Sequence, residues 1–176
     1  MRKGGLILLP FHFWRIDIIK ILGIDQATKV SGWALVEGGS LSGHGVIDLS
    51  KNTDVTERFP RMCKAIHDLI VTHNPEHVII EGVSLQNNAA ILSLLAQIQG
   101  AIIQTCVLCN IPFYIYPASS WRKDLGFHQG KGVKRDDLKR QAIQFVESTY
   151  NISVLDDEAE AICIATAFQK INEENT

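Results

Sequence analysis

Acidic residues at the ends of apolar segments constrain this fold more than any other feature of the sequence. Asp25 closes one apolar run and Glu81 closes another, while Asp157 and Glu160 begin a helical pattern of apolar residues. Two carboxylates about 5 Å apart repel each other by roughly 3 kcal/mol at an effective dielectric of 20. A divalent cation with oxygen ligands removes that repulsion. The sequence therefore predicts a metal-dependent hydrolytic site.

The order of the apolar segments predicts an α/β fold with a mixed five-stranded sheet flanked by helices. Strands are predicted at 18–25, 32–36, 41–47, 78–81 and 113–116, of which the first three form an antiparallel meander. Helices are predicted at 54–72, 88–109, 134–150 and 157–171. Pro60 favours a later start for the first helix, and Ser119 or Ser120 is expected to cap a short helical turn.

Length and composition indicate one globular domain. The chain has 176 residues, 46% of them hydrophobic, which is enough for a full core. Residues 18–176 are expected to form that domain, and residues 1–17 are expected to be an N-terminal extension that is disordered or comes from an upstream start. No small-residue cleavage site follows the first apolar stretch, which disfavours a signal peptide. Four cysteines do not make a disulfide framework in a chain of this size, so the cytoplasm is the expected compartment.

Charge is distributed unevenly along the chain, although the net charge is only −2. Residues 115–145 carry seven Lys or Arg against three acids, and residues 146–176 carry seven acids against one lysine. This pattern suits a protein that holds phosphates at one place and metals at another. A solvated helix face with ion pairs is the alternative for the basic part. The predicted phosphate and DNA contacts are Arg122, Lys123, Lys131, Lys134 and Arg135, and Tyr116, Trp121 and Phe127 are aromatic candidates beside them.

The helix predicted at 88–109 is apolar on nearly all sides. Its length would allow a membrane span, but glutamines at its centre and the lack of flanking positive charge argue against one. A helix without a polar face is expected to be buried on two sides. One side would pack on the sheet and the other on a second subunit, which predicts a homodimer. A central helix in a monomer is the alternative.

The spacing of the acids predicts that they meet. Asp157 and Glu160 are three residues apart, so they share a helix face. Asp25 and Glu81 end strands that are expected to be neighbours. The four acids can then bind two cations about 3.5–4 Å apart. Favourable charge at a helix N-terminus is the alternative explanation for the helical pair, and a shift of one residue would put Asp156 in the same place.

Five stretches of the chain resemble one known family. These are ILGIDQATKVSGWAL, VIIEGV, NNAAILSLLAQIQGA, YPASSWRKDLG and DDEAEAICIA. Together they resemble RuvC-type Holliday junction resolvases over roughly residues 18–170. The resemblance implies a ribonuclease H-like fold and a homodimer that acts on four-way DNA junctions with Mg²⁺ or Mn²⁺. It also implies that Asp25, Glu81, Asp157 and Glu160 bind metal and that Lys123 and Lys134 act near the scissile phosphate.

Three departures from the family pattern stand out. Gln26-Ala27 follows the first acid where bacterial members usually have Pro-Gly, and the fourth acid is Glu160 instead of Asp or His. Ser84-Leu85 stands where many members have a phenylalanine that stacks on bases. These differences favour a bacteriophage member that acts on several branched DNA forms, since stacking is worth roughly 1–3 kcal/mol per base.

The sequence therefore predicts an endonuclease that resolves branched DNA by symmetric nicking. A structure-specific DNA-binding protein without cleavage and a nuclease acting on RNA-containing substrates are the alternatives. An actin-like ATPase is a weaker one, because Gly23-Ile24-Asp25 with Thr28 loosely resembles its phosphate loop but the chain is too short for the second half of that fold.

Overall fold

The computed structural model describes residues 19–84 and 88–174, and the predicted extension at 1–17 lies outside them. Five strands and five helices occur in these residues. The strands are β1 (Lys20–Asp25), β2 (Val30–Glu37), β3 (Ser40–Asp48), β4 (His77–Glu81) and β5 (Phe113–Tyr116). The helices are α1 (Val55–His73), α2 (Ala89–Leu108), α3 (Ala118–Asp124), α4 (Arg135–Tyr150) and α5 (Asp156–Glu174).

The strands form one mixed sheet in the order β3-β2-β1-β4-β5. β1, β2 and β3 pair antiparallel, as the turn signals between them predict. β4 pairs parallel with β1, and β5 pairs parallel with β4. The predicted α/β fold with a mixed five-stranded sheet is confirmed. Because β1 and β4 run side by side in the same direction, their acidic C-terminal ends meet at one edge.

Helices cover both faces of the sheet. α3, α4 and α5 pack on the core that contains Ile21 and Ile79, whereas α1 and α2 pack on the core that contains Leu22 and Ile80. Successive side chains of a strand point to opposite faces, so adjacent residues of β1 and β4 enter different cores. The side chain of any β1 or β4 residue can therefore be assigned to a face by counting.

The expected late start of α1 is wrong. The helix begins at Val55, and the side chain of Asp54 caps it by accepting the backbone N–H of Thr56. Pro60 is only the sixth helical residue, so the hydrogen bond it cannot donate would have reached the carbonyl of Thr56. Thr56 is exposed, and water can satisfy that carbonyl.

Two other helix starts differ from the expectations by one or two residues. α3 begins at Ala118, and Pro117 is its N-cap residue, with φ of −60° and ψ of 139°; no side chain caps the helix. Ser119 and Ser120 lie inside the helix, so the expected serine cap is wrong. α5 begins at Asp156, which places three acidic residues in its first turn.

α2 is buried on one side only within the single chain. Its four buried residues are Ile98, Ile102, Thr105 and Cys106. Among the described residues it is the one helix that is long and apolar enough to cross a membrane, and 22% of its apolar window is buried. The single chain thus covers one of the two sides that the sequence predicts to be buried.

Candidate active site

Two acids lie side by side where β1 and β4 end. Ile24 pairs with Ile80 in the parallel register, so Asp25 and Glu81 occupy equivalent positions on neighbouring strands. Ile21 and Ile79 face α5, and counting in twos from them places both carboxylates on the same face. The prediction that these acids end neighbouring strands is confirmed.

The first turns of α5 bring the other two acids over this strand edge. Gly32 of β2 pairs with Asp25, and a Cβ atom added to Gly32 would lie 1.9 Å from the backbone oxygen of Asp157. Only glycine allows the helix to approach so closely. One carboxylate oxygen each from Asp25, Asp157 and Glu160 lies within 4.8 Å of the others. The structure therefore brings Asp25 of β1 together with two acids of α5 that lie more than 130 positions later in the sequence.

Crowding of the carboxylates is greatest at Asp25, which is 7% exposed. Burial raises the pKa of Asp25 well above its ordinary value, and the charges of Glu81 and Glu160 raise it further, with a smaller effect from Asp157. A hydrogen bond between the two strand-end carboxyl groups raises the pKa of Asp25 and lowers that of Glu81. Without a cation, Asp25 is therefore the carboxyl group of this pair whose pKa is raised more strongly.

The electrostatic effects on the other acids are mixed. Burial and the charge of Glu160 raise the pKa of Glu81, while a hydrogen bond from Trp121 and the charge of Arg122 act in the opposite direction. Burial is also the largest cause of the raised pKa of Asp157. Because these carboxylates are desolvated and repel one another, a positive charge at this edge of the sheet would stabilise their ionised forms.

The donor set fits a hard divalent cation. Oxygen ligands about 2.1 Å from Mg²⁺ are at most about 4.2 Å apart, so the three acids need only small side-chain rotations to share one ion. Carboxylate oxygens are the ligands that Mg²⁺ and Mn²⁺ prefer. Glu81 lies next to Asp25 but outside the three-residue group.

Arg122 of α3 lies inside the acidic cluster, although the sequence predicted only a DNA contact for it. Its Nη2 atom donates to Oε1 of Glu160 at 2.7 Å and lies 3.8 Å from Oε1 of Glu81. The guanidinium packs over the ring of Trp121, 4.7 Å from the centroid. Trp121 is fully buried and donates its Nε1–H to Glu81 at 3.1 Å, so the expected DNA contact of this ring is wrong.

Lys139 of α4 contacts the other side of the cluster, and sequence reasoning missed it. Its Nζ atom lies 2.5 Å from Asp156 and 3.7 Å from Asp157. Asp156 therefore pairs with the lysine and stands outside the three-acid group. A lysine four residues into a basic helix has no special signal in the sequence, because the contact depends on how α4 packs on α5.

Gln26 is a second missed residue beside the acids. Its Nε2 atom donates to the backbone oxygen of Glu81 at 3.2 Å and to Oε1 of Gln99 at 3.4 Å. It thereby connects the end of β1 to β4 and to α2. The departure from Pro-Gly at this position was the available signal, since a polar residue next to a strand-end acid must find partners.

An open cleft of about 580 Å³ lies over the acids. Arg122 and Arg135 line it together with Asp25, Glu81, Asp157 and Glu160. The other predicted basic contacts, Lys123, Lys131 and Lys134, are exposed around it and are not among the lining residues. Their roles stay predictions.

Comparisons with known proteins identify the family and the fold. Residues 21–168 match the family model described as crossover junction endodeoxyribonuclease RuvC. A relative of that name from Geotalea uraniireducens (strain Rf4) is 27% identical over 153 residues, which cover 84% of this chain and 86% of the relative.

Solved structures show the same fold at low sequence identity. One is the T. thermophilus RuvC in complex with Holliday junction substrate, with a TM-score of 0.72, 16% identity, and coverage of 90% of this chain and 97% of that one. Another is the Fowlpox virus resolvase in complex with substrate Holliday junction DNA, with a TM-score of 0.61, 14% identity, and coverage of 88% and 99%. Because the family model spans most of the sequence, the chain belongs to the crossover junction endodeoxyribonuclease RuvC family.

Proposed function

We propose that this protein is a divalent-metal-dependent endonuclease that resolves four-way DNA junctions and related branched DNA. The convergence of strand-end and helix acids in an open cleft is the observation that carries the proposal. Family membership supports the same reaction. The junction DNA bound by two proteins of this fold supports the choice of substrate.

Mg²⁺ is the proposed metal, with Mn²⁺ as a substitute, because both accept all-oxygen ligand sets. Asp25, Asp157 and Glu160 would hold one ion, and Glu81 with its neighbours would complete a second position. When bound, such ions supply a water of lowered pKa and neutralise charge that develops on a phosphodiester.

Basic side chains around the cleft would position the DNA backbone. Arg122 and Arg135 line the cleft directly. Lys123 and Lys134 are exposed at the end of α3 and the start of α4, where they would contact phosphates close to the cleaved bond, and Lys131 would contact the backbone farther out. Contacts to phosphates fix orientation without reading bases.

A homodimer through α2 would place two clefts on one junction and explain paired nicks. The outer side of α2 carries exposed small and apolar residues, including Ala96, Gly100 and Val107, the last 60% exposed. Exposed glutamines on the same side, Gln97 and Gln104, favour a protein partner over lipid.

The place of action follows from the substrate. A nuclease that resolves chromosomal or phage DNA would work in the cytoplasm of a bacterial cell. A bacteriophage source rests on the departures from the family pattern alone, since the curated relatives are bacterial.

The experiment that tests the function is cleavage of synthetic junction, fork and duplex DNA with and without Mg²⁺. Asp25→Asn should still shift a four-way junction on a gel but lose at least about 100-fold in cleavage, equivalent to about 2.7 kcal/mol. Asp68→Asn is the matched control, because Asp68 is an exposed carboxylate on α1 that pairs with Lys64. Normal cleavage by the Asp25 variant would contradict the proposal, and preferential cleavage of matched RNA would favour the RNA alternative.

A further inference from the structure

Arg122 occupies an unusual place for a DNA-binding arginine. Only 16% of its side chain is exposed, and one nitrogen atom, Nη2, serves two candidate metal ligands, Glu160 and Glu81. Two further cations near the cleft, Lys123 and Arg135, are exposed and form no ion pair within residues 19–84 and 88–174. The position of Arg122 is thus specific to the acidic cluster.

Glu81 has one hydrogen-bond donor and one ion-pair partner, and both compete with a metal for the same oxygen atom. The indole N–H of Trp121 and the guanidinium of Arg122 both approach its Oε1. Trp121 is fully buried and belongs to the core under α3, so it is a fixed donor. Arg122 is the movable one, because it extends from the last turn of a short helix into an open cleft.

The arginine is not fully satisfied where it lies. Its Nε atom is buried and has no hydrogen-bond partner among the described residues. A guanidinium has five N–H donors in a planar fork, and the edge formed by Nε and one Nη matches two oxygens of a phosphate. A phosphate entering the cleft offers a partner for both nitrogens after a rotation of the side chain.

The charge balance of the cluster also favours a movement of Arg122 to a phosphate. Once the carboxyl groups have lost their protons to bind metal, four carboxylates face two cationic side chains, Arg122 and Lys139, and the lysine is also shared with Asp156. The remaining negative charge suits one divalent ion. A second divalent ion would leave excess positive charge unless a negatively charged phosphate arrives and Arg122 moves to it.

We propose that Arg122 is a resident counter-cation that holds Glu81 and Glu160 until DNA enters the cleft, and then moves to a phosphate and frees Glu81 for a second divalent ion. This inference rests on the proposed function. Arg122 is in this sense a positioning residue that makes the second cation position dependent on substrate. Free protein would then bind one divalent ion, and the full pair would form only on DNA.

The test is a Mn²⁺ titration of the whole protein by calorimetry, with and without junction DNA, combined with thermal unfolding in EDTA. Wild-type protein should bind one Mn²⁺ per chain without DNA. Arg122→Gln should bind a second Mn²⁺ without DNA, or bind the first about tenfold more tightly, and should unfold at a lower temperature in EDTA. Arg135→Gln is the matched control: it removes a cation from the same cleft, and it should leave Mn²⁺ binding without DNA and the unfolding temperature in EDTA unchanged while weakening junction binding.

Unchanged Mn²⁺ binding and unchanged unfolding temperature in the Arg122→Gln variant would overturn the inference. If that variant does not fold, Arg122→Lys keeps the charge but loses the fork. The Arg122→Lys variant should bind one Mn²⁺ without DNA, as wild-type protein does, and bind the second Mn²⁺ more weakly on junction DNA. If it binds the second ion as tightly as wild-type protein, the inference is overturned. Failure of the proposed function looks different, since wild-type protein would then bind no Mn²⁺ and cut no junction.

Discussion

α5 and α2 have 19 and 20 residues and pack on opposite faces of the same sheet, but they are buried to very different extents. Every residue of α5 from 159 to 165 is buried between the sheet and its neighbouring helices. α2 buries four residues and leaves the rest partly or fully exposed. Two helices of nearly equal length thus have different surroundings in one chain, and the more apolar of them is the less buried.

The two helices differ in what their surroundings allow: α5 is held firmly in the core, and α2 leaves one side free for a partner. α5 lies directly on glycines of β1 and β2, which fixes the backbone that carries Asp157 and Glu160. Close-packed interiors transmit small displacements, so a site built on α5 depends on this packing. α2 keeps an apolar outer side that a second chain can cover.

Glycine-to-alanine changes should have opposite effects on stability beneath α5 and on α2. In Gly32→Ala the new Cβ would meet the backbone oxygen of Asp157, which cannot move without shifting α5. We expect a loss of at least about 3 kcal/mol in the free energy of unfolding, measured by urea denaturation. Gly100→Ala on α2 meets no atom within 4 Å and should gain up to about 1 kcal/mol from better helix propensity. Equal losses at both positions would remove the contrast.

A charge on the outer side of α2 should impair dimer formation. Val107→Glu places a carboxylate in the proposed interface, and we expect a 10- to 100-fold rise in the dimer dissociation constant, or about 1.4–2.7 kcal/mol. Sedimentation equilibrium measures it. Val71→Glu on α1 is the control, since Val71 is 50% exposed and Val107 is 60% exposed. The same effect from both variants would argue against a specific interface on α2.

The acid cluster at the start of α5 should make the protein less stable as pH rises when no divalent ion is present. Unfolded Asp25 releases its proton near pH 4, whereas burial and the neighbouring carboxylates raise its pKa in the folded state. Between those two values the folded state binds more protons, so the free energy of unfolding falls with increasing pH. The loss is about 1.4 kcal/mol for each unit by which the pKa is raised.

Urea unfolding in EDTA from about pH 4.5 upward measures this slope. Asp25→Asn removes the largest of these contributions and should reduce the slope, leaving the contributions of Glu81 and Asp157. Saturating Mg²⁺ should flatten it as well, because the cation takes the place of the proton. A slope that the variant leaves unchanged would show that Asp25 is not its cause.

The ion pair that anchors the start of α5 should be worth more than an exposed pair with the same distance. Lys139 lies 2.5 Å from Asp156 with 20% of its side chain exposed, and Lys64 lies 2.5 Å from Asp68 with 74% exposed. We expect Lys139→Met to cost about 1 kcal/mol of stability and Lys64→Met to cost less than about 0.5 kcal/mol. Lys139→Met should also raise the pKa of Asp157 further, because the lysine charge lowers it.

Much of this architecture could be read from local patterns. Alternation along β1 and β4 is a property of consecutive residues, and it assigns Asp25 and Glu81 to one face of the sheet. The spacing of Asp157 and Glu160 on α5 is equally local. Helix starts were less predictable. Pro60 is tolerated inside α1 because the carbonyl it leaves without a donor is exposed, and Ser119 does not cap α3 because the helix already begins after Pro117.

The sequence by itself determined the order of the strands and helices and the four acids at their ends, because these depend on side-chain periodicity over a few residues. Only the tertiary structure decided that α5 lies directly on Gly32, that Trp121 and Arg122 hold Glu81, and that Lys139 contacts Asp156 and Asp157. Such contacts join residues more than fifteen positions apart, and no local pattern records them. They arise from the packing of whole helices, because the free energy gained by burying many side chains outweighs the conformational preference of any single residue.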